Sequence, residues 1–242
     1  MSQKQKRFWE IDALRGIAII SMIGYHIYFD TYFLNIFELD YYQAPFIGAM
    51  FIFLVGVSLT LSYSRVENTL KSYQITLKFI KRGLFIFGLG LVITFFTWIF
   101  VPDAFIVFGV LHCIGISIII SYPFIRGKII NIVLGSILIL IGVWLYTAFT
   151  WNFSWFFWLG FIPSRFYTLD YFPLLPWFGV VLIGISIGNI LYPHGKALFS
   201  LPDLSQKRLV KLLSYLGRHS LIIYFIHQPI ILGILFAIKS MQ

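Results

Sequence analysis

Long apolar runs alternate with short polar segments along the whole chain. Several windows of about 20 residues carry no charge, which is typical of membrane-spanning helices. Short segments with proline and polar residues, at 102–103, 122–128 and 192–196, separate or end these runs. The pattern predicts an all-α polytopic membrane protein with about seven spans, near residues 13–33, 43–63, 83–101, 104–125, 129–149, 173–192 and 218–238.

The composition supports a single membrane domain over residues 1–242. Of the 242 residues, 60% are hydrophobic and only 11% are charged, whereas a soluble domain of this length exposes far more charge. Cys113 is the lone cysteine, which excludes an intramolecular disulfide and a cysteine metal site. The N-terminus is basic and then apolar, without a small-residue cleavage site, and it predicts an uncleaved first span.

The basic residues indicate how the chain is oriented. With a cytoplasmic N-terminus, all but two of the 18 Lys and Arg residues fall on the inner side, the exceptions being Arg165 and Lys239. This distribution follows the positive-inside rule. Orientation in the bilayer therefore explains the net charge of +9, and no nucleic-acid partner is expected.

Three polar or aromatic segments lie between the predicted spans. Segments 64–82 and 203–217 mix apolar and basic residues, which favours short interfacial helices, although their bases also suit an anionic cytosolic ligand. Segment 150–172 holds eleven aromatic residues and predicts either an aromatic belt at the lipid headgroups or a stacking platform for a sugar.

The first span carries ionisable residues that a purely lipid-facing helix would not need. Arg15 and His26 are eleven residues apart, which places them within about 20° of one helix direction and about 16 Å apart along the axis. Asp12 precedes Arg15 by three residues and is positioned to pair with it. Arg15 could simply snorkel, and His26 could simply bond another helix. A buried histidine that water can reach is also a credible general base.

Two further histidines are predicted at a similar depth. His112 lies nine residues past Asp103, and His227 lies nine residues past Arg218, so each is about 13 Å from its end of the span. A polar reaction chamber is one interpretation, and three separate interhelical hydrogen bonds are another. A metal site is less favoured, because no acid joins these histidines at that depth.

Several blocks, in order, resemble one family of membrane enzymes. They are EIDALRGIAIISMIGYH, FIFLVGVSLTLSYSR, KRGLFIFGLGL, GVLHCIGI, LDYFPLLPWFGVVLIGISIG and GRHSLIIYFIHQPII. Together they are similar to the heparan-alpha-glucosaminide N-acetyltransferase-like family. The spacing of Arg15 and His26 also resembles the motif of the related membrane acyltransferase-3 family, whose members usually have more spans.

The resemblance implies a transmembrane acetyltransferase that takes acetyl-CoA from the cytosol and acetylates a sugar on the outer side. An amino group or a hydroxyl of the sugar is the implied acceptor, the plasma membrane the expected location, and a homodimer one assembly that the family allows. No metal is expected. His26 would act as general base or as acetyl carrier.

The remaining candidate residues follow from this scheme. Three guanidinium groups would hold the coenzyme phosphates, because a planar cation suits a phosphate. They belong to Arg15, which has Asp12 beside it, Arg82 and Arg218. His112 and His227 are candidate catalytic groups, and Tyr25, His112 or Gln228 would stabilise the oxyanion. Candidate acceptor-binding residues are Asp30, Arg165, Asp170, Tyr171 and Gln228.

Other interpretations of these residues stay open at this point. The cluster of Arg165, Asp170 and Tyr171 could orient a sugar or form an ion pair that pins the loop. A carrier or flippase for a small or lipid-linked sugar would also use charged groups on spans. Against it, the chain shows no internal repeat. A scaffold subunit would leave the stripe of Arg15 and His26 unexplained.

Overall fold

The computed structural model describes residues 7–37, 40, 44–148, 150–151, 153, 155–164 and 166–241. This part of the chain is helical and contains no β-strand, which confirms the all-α prediction. Its α-helices are α1 (Trp9–Phe33), α2 (Pro45–Ser64), α3 (Ser72–Phe100), α4 (Val110–Ile120), α5 (Ile129–Ala148), α6 (Leu174–Leu191), α7 (Arg208–Arg218) and α8 (Ser220–Lys239).

Five helices in the described part of the chain are long and apolar enough to cross a membrane, namely α2, α3, α5, α6 and α8. They expose large apolar side chains, including Phe85 (62% exposed) and Leu140 (69% exposed), as a lipid-facing surface does. The prediction of a polytopic membrane protein is thus confirmed. The count of seven spans and the cytoplasmic N-terminus stay predictions.

The predicted fourth span, 104–125, is much longer than the helix that forms there. Helix α4 has only 11 residues, about 16 Å of rise, and a ~30 Å hydrocarbon core needs about 20 residues. A 3₁₀ turn at Pro102–Ala104 precedes it and another at Tyr122–Phe124 follows it. Proline lies in the first turn of each 3₁₀ segment and interrupts the apolar run that suggested one long helix.

The two predicted interfacial helices have different outcomes. Helix α3 starts at Ser72 and continues without a break to Phe100, so the second half of segment 64–82 is the beginning of a long apolar helix. Segment 203–217 does contain a separate short amphipathic helix, α7, which ends where α8 begins. The amphipathic pattern was therefore informative for α7 and misleading for 64–82.

The described residues divide into two compact units. The first comprises residues up to 54 and from 201 onwards, and the second comprises 55–200. In the first unit, α1 packs against α7 and α8. Its closest approach uses glycine, because a Cβ on Gly16 would lie 2.1 Å from the Leu213 carbonyl oxygen, and one on Gly217 would lie 1.8 Å from that of Asp12.

The second unit contains two tightly packed helix pairs, α3 with α4 and α5 with α6. Polar side chains fix the turn before α5. Asn131 Nδ2 donates to the carbonyl of Phe124, and Ser186 Oγ donates to that of Lys128. Asn189 Nδ2 donates to the carbonyls at 125 and 127. Backbone carbonyls of this turn, which lies outside the α-helices, therefore find side-chain partners.

Candidate functional site

Helix α1 holds Arg15 and His26 on one uninterrupted helix, as their spacing predicts. Its continuity preserves their shared face and their axial separation of about 16 Å. Arg15 Nη1 donates to Asp12 Oδ1 at 3.1 Å, which is the predicted i, i+3 pair. The guanidinium lies near the N-terminal end of the helix, and the imidazole lies in its second half.

His26 and His227 meet where α1 packs on α8. Their ring centroids are 4.8 Å apart with an interplanar angle of 61°, an edge-to-face contact. Tyr25 lies 5.8 Å from the His26 ring, and Tyr224 lies 5.4 Å from the His227 ring. Two of the three predicted catalytic histidines thus form one pair inside the first unit, in which His227 is buried and His26 is half-buried.

A backbone carbonyl determines which nitrogen of neutral His227 is basic. His227 Nδ1 lies 2.5 Å from the Tyr224 carbonyl oxygen, and because a carbonyl only accepts, Nδ1 carries the proton. The lone pair of the neutral ring is then on Nε2. Tyr224 was not predicted as a site residue, although its position three residues before His227 on a helix is the signal that indicates this bond.

Two imidazole nitrogens of the pair lack a hydrogen-bond partner. His227 Nε2 and His26 Nδ1 are both buried, and neither is bonded to any residue that the structure describes. Buried polar atoms are normally satisfied, and an exception in a membrane protein suggests a functional site. The pair therefore offers at least one buried lone pair, on His227 Nε2, that can accept a proton or a hydrogen bond.

Asp30 and Gln228 form a second polar contact between α1 and α8. Gln228 Nε2 donates to both carboxylate oxygens of Asp30, each at 3.0 Å, and Asp30 is only 2% exposed. Both residues were predicted to bind the acceptor. The structure pairs them with each other, and a role in acceptor binding stays a prediction.

Helix α7 brings Arg218 to the end of α1 that carries Arg15. Ser214 Oγ donates to the Trp9 carbonyl at 3.3 Å, and Gly217 lies directly against the backbone of Asp12. Arg218 follows Gly217 and its Nε donates to the Ser214 carbonyl. The predicted phosphate-binding residues Arg15 and Arg218 therefore share one region of the first unit.

His112 lies in the second unit, in a tightly packed aromatic environment. Its Nδ1 accepts from the Gly109 N–H at 3.2 Å, and its Nε2 lies 3.4 Å from Thr94 Oγ1. The ring packs on Phe108 and Phe87 and is only 2% exposed. Both ring nitrogens of His112 therefore have partners, and its Nδ1 accepts from Gly109, the residue that precedes α4. A catalytic role for His112 stays a prediction.

Asp170 and Tyr171 also bond within the second unit. Asp170 Oδ2 accepts from the Val110 N–H at 3.0 Å and so caps α4, and Tyr171 donates to the Phe157 carbonyl at 2.7 Å. Burial raises the pKa of Tyr171 above its usual value. Arg82 lies exposed on α3 in the same unit, and Arg165 lies outside the described residues.

Burial raises the pKa of Asp170 to about 6, although its bond to the Val110 N–H acts in the opposite direction. The folded protein thus binds more protons than the unfolded chain between about pH 4 and pH 6, and Asp170 makes stability fall as pH rises through this window.

We expect Asp170→Asn to remove that component of the pH dependence while keeping an oxygen that accepts from Val110. The melting temperature of the detergent-solubilised protein, measured from pH 4 to 8, checks this, with exposed Asp103→Asn as control. An unchanged pH profile in Asp170→Asn would contradict it.

The thirteen predicted site residues are thus divided between the units. Eight lie in the first unit, four in the second, and one is not described. Among the described residues, no group of three or more His, Cys, Asp or Glu side chains is arranged to hold a metal ion. The first unit is the candidate site because it contains most of the predicted residues. They include Asp12, Arg15, His26, Asp30, Arg218, His227 and Gln228.

Comparison with known families gives one match. A family model described as heparan-alpha-glucosaminide N-acetyltransferase, catalytic, matches residues 7–229 of the 242-residue chain. Comparison with curated proteins gives no match, and comparison with solved structures gives none either. The matched range includes every residue of the candidate site.

Proposed function

Because this chain belongs to the heparan-alpha-glucosaminide N-acetyltransferase family, we propose that it moves an acetyl group from cytosolic acetyl-CoA to a sugar outside. The family and the five apolar spans make it an integral membrane acetyltransferase. The acceptor that we propose is an amino sugar or a sugar hydroxyl. The observation that carries this proposal is the His26–His227 pair with its two buried, unbonded nitrogens.

Two chemical routes use this pair. In the direct route, an imidazole removes a proton from the acceptor amine or hydroxyl as the acceptor attacks the thioester carbonyl. The C–S bond then breaks, and CoA leaves as the thiol with the proton that the imidazolium returns. Such a general base contributes about 10²–10⁴-fold to the rate. In the double-displacement route, His26 first takes the acetyl group and CoA leaves as the thiol, after which the acceptor attacks acetyl-His26. Both routes need an unprotonated imidazole nitrogen. His227 Nε2 provides one for the direct route, and the double-displacement route uses the lone pair of the neutral His26 ring.

The charged end of the first unit suits the coenzyme. Arg15 and Arg218 lie at the same end of α1, and a guanidinium binds phosphate oxygens through fixed parallel donors. From Arg15 to His26 the helix rises about 16 Å, a distance that an extended pantetheine arm can follow. We propose that Arg15 and Arg218 hold the phosphates. Coenzyme binding by Arg82, which lies in the second unit, stays a prediction. The plasma membrane and a homodimer remain predictions.

Reversing the charge at Arg15 separates binding from chemistry. We expect Arg15→Glu to weaken acetyl-CoA binding by about 10-fold or more, because it removes a charge-assisted contact and faces Asp12 with a second acid. The rate at saturating acetyl-CoA should change less. Titration of acetyl-CoA by thermal shift checks this, with Arg15→Lys as the control that keeps the charge. Normal affinity with reduced turnover in Arg15→Glu would contradict the assigned role.

Purified protein with radiolabelled acetyl-CoA and an amino sugar tests the proposed function. We expect label to appear on the sugar, and thermal stabilisation by acetyl-CoA to exceed that by other acyl-CoAs. Parallel trials with amino and hydroxyl acceptors identify the accepting group. A protein that binds the sugar but transfers no label would contradict the proposal and favour a carrier.

A further inference from the structure

Two polar contacts join α1 to α8 side by side. The first is the His26–His227 ring pair, and the second is the bond from Gln228 Nε2 to the Asp30 carboxylate. Asp30 follows His26 by four residues, so it lies one turn along the same helix face. Gln228 follows His227 directly. The second contact therefore lies one turn from the first on α1 and directly beside it on α8.

The second contact is built to hold its geometry. Both carboxylate oxygens of Asp30 accept from the same amide nitrogen at 3.0 Å, which orients the two planar groups toward each other. Asp30 is 2% exposed, and a buried carboxylate that lost its donor would remain unsatisfied at a large free-energy cost. Sliding or rotating α8 on α1 would break this bond and also separate the imidazole rings.

We infer that Asp30 and Gln228 form a clamp that sets the distance and angle between the His26 and His227 rings. Asp30 is then a positioning residue that acts through Gln228, and its carboxylate does not contact the acceptor. The kinetic consequence rests on the proposed function, since it assumes acetyl transfer at the imidazole pair. Gln228 Oε1 is buried without a partner among the described residues, and it is the atom through which a substrate contact would instead be made.

An exchange of the two polar groups tests the clamp. Gln228→Glu removes the amide donor and places a second carboxylate beside Asp30, so the clamp opens. The double variant Asp30→Asn with Gln228→Glu restores one bond with donor and acceptor exchanged. We expect kcat for acetyl transfer to fall about 10- to 100-fold in Gln228→Glu, as for small misplacements of reacting groups, with KM nearly unchanged. The double variant should recover most of kcat, and Gln206→Glu, the same change at an exposed position, should match the wild type.

A second readout does not depend on activity. Diethylpyrocarbonate modifies accessible imidazoles, and mass spectrometry gives the rate at each histidine. We expect His26 and His227 to react faster in Gln228→Glu and at the wild-type rate in the double variant. If wild-type protein transfers no acetyl group, the proposed function fails, yet these rates still decide whether the clamp exists.

Specific results would overturn the inference. One is a folded double variant whose kcat stays as low as that of Gln228→Glu. Another is a raised KM for the acceptor with unchanged modification rates, which would make Gln228 a substrate contact. If Gln228→Glu does not fold, the double variant is compared with the wild type directly. Normal kcat and modification rates there support the exchanged bond, and loss of either in a folded protein contradicts it.

Discussion

Replacing His26 with alanine is expected to lower the rate of acetyl transfer by about 10²-fold or more, the usual contribution of a catalytic imidazole. The physical reason is that both proposed routes use the His26–His227 pair, which alanine dismantles. Binding of acetyl-CoA should persist, since Arg15 and Arg218 lie elsewhere on the unit. The measurement is label transfer to the sugar at saturating acetyl-CoA, together with coenzyme binding by thermal shift.

The matched control is a histidine outside the pair. His194 is largely exposed and has positive φ, so His194→Asn changes an imidazole where asparagine tolerates the backbone. Its transfer rate should equal that of the wild type.

Incubating wild-type protein with acetyl-CoA alone, followed by mass spectrometry, separates the routes, because only double displacement leaves an acetyl group on His26. Full activity in His26→Ala would contradict both routes.

A methyl group at Gly16 is expected to cause a large loss of stability. The added Cβ would lie 2.1 Å from the Leu213 carbonyl oxygen, so α7 must move away from α1. Overpacking of this kind costs about 1–3 kcal/mol, and more where backbone must shift. Because α7 carries Arg218, we also expect weaker acetyl-CoA binding. Thermal unfolding of Gly16→Ala in detergent measures the first effect, and coenzyme titration measures the second.

Gly24 supplies the control on the same helix. A Cβ there would meet nothing within 4 Å, so Gly24→Ala tests helix propensity without a clash. Alanine is favoured over glycine in a helix by up to about 1 kcal/mol, and we expect Gly24→Ala to be as stable as the wild type or more so. Equal melting temperatures for Gly16→Ala and Gly24→Ala would contradict the close packing of α1 on α7.

Local patterns predict the features that depend on one helix. The apolar runs locate α2, α5, α6 and α8 within about two residues at each end, because hydrocarbon thickness sets the length of a span. They miss the start of α3, which begins at Ser72 and not near residue 83. Helical periodicity places Asp12, Arg15 and His26 correctly on α1, because their relation depends only on spacing along a regular helix. The amphipathic pattern likewise identifies α7.

Features that depend on distant partners were not predictable in the same way. The span predicted over 104–125 is too long because apolar residues on both sides of α4 continue its hydropathy pattern, although Pro102 and Pro123 mark the flanking 3₁₀ turns. The helical rise predicts a similar depth for three histidines but does not pair them, and His26 and His227 are found in contact. The bond from Gln228 to Asp30 joins residues 198 positions apart, and the cap from Asp170 to Val110 joins residues 60 apart. Such contacts depend on how helices pack, which residue spacing along one helix does not encode.

The most direct test places the two substrates in different compartments. Sealed vesicles containing the oriented protein are loaded with amino sugar, and acetyl-labelled CoA is added on the side of Arg15. The account predicts labelled sugar inside the vesicles while CoA stays outside, and none in vesicles carrying His26→Ala. Unmodified sugar that leaves the vesicles, or label that never reaches the enclosed sugar, would contradict it.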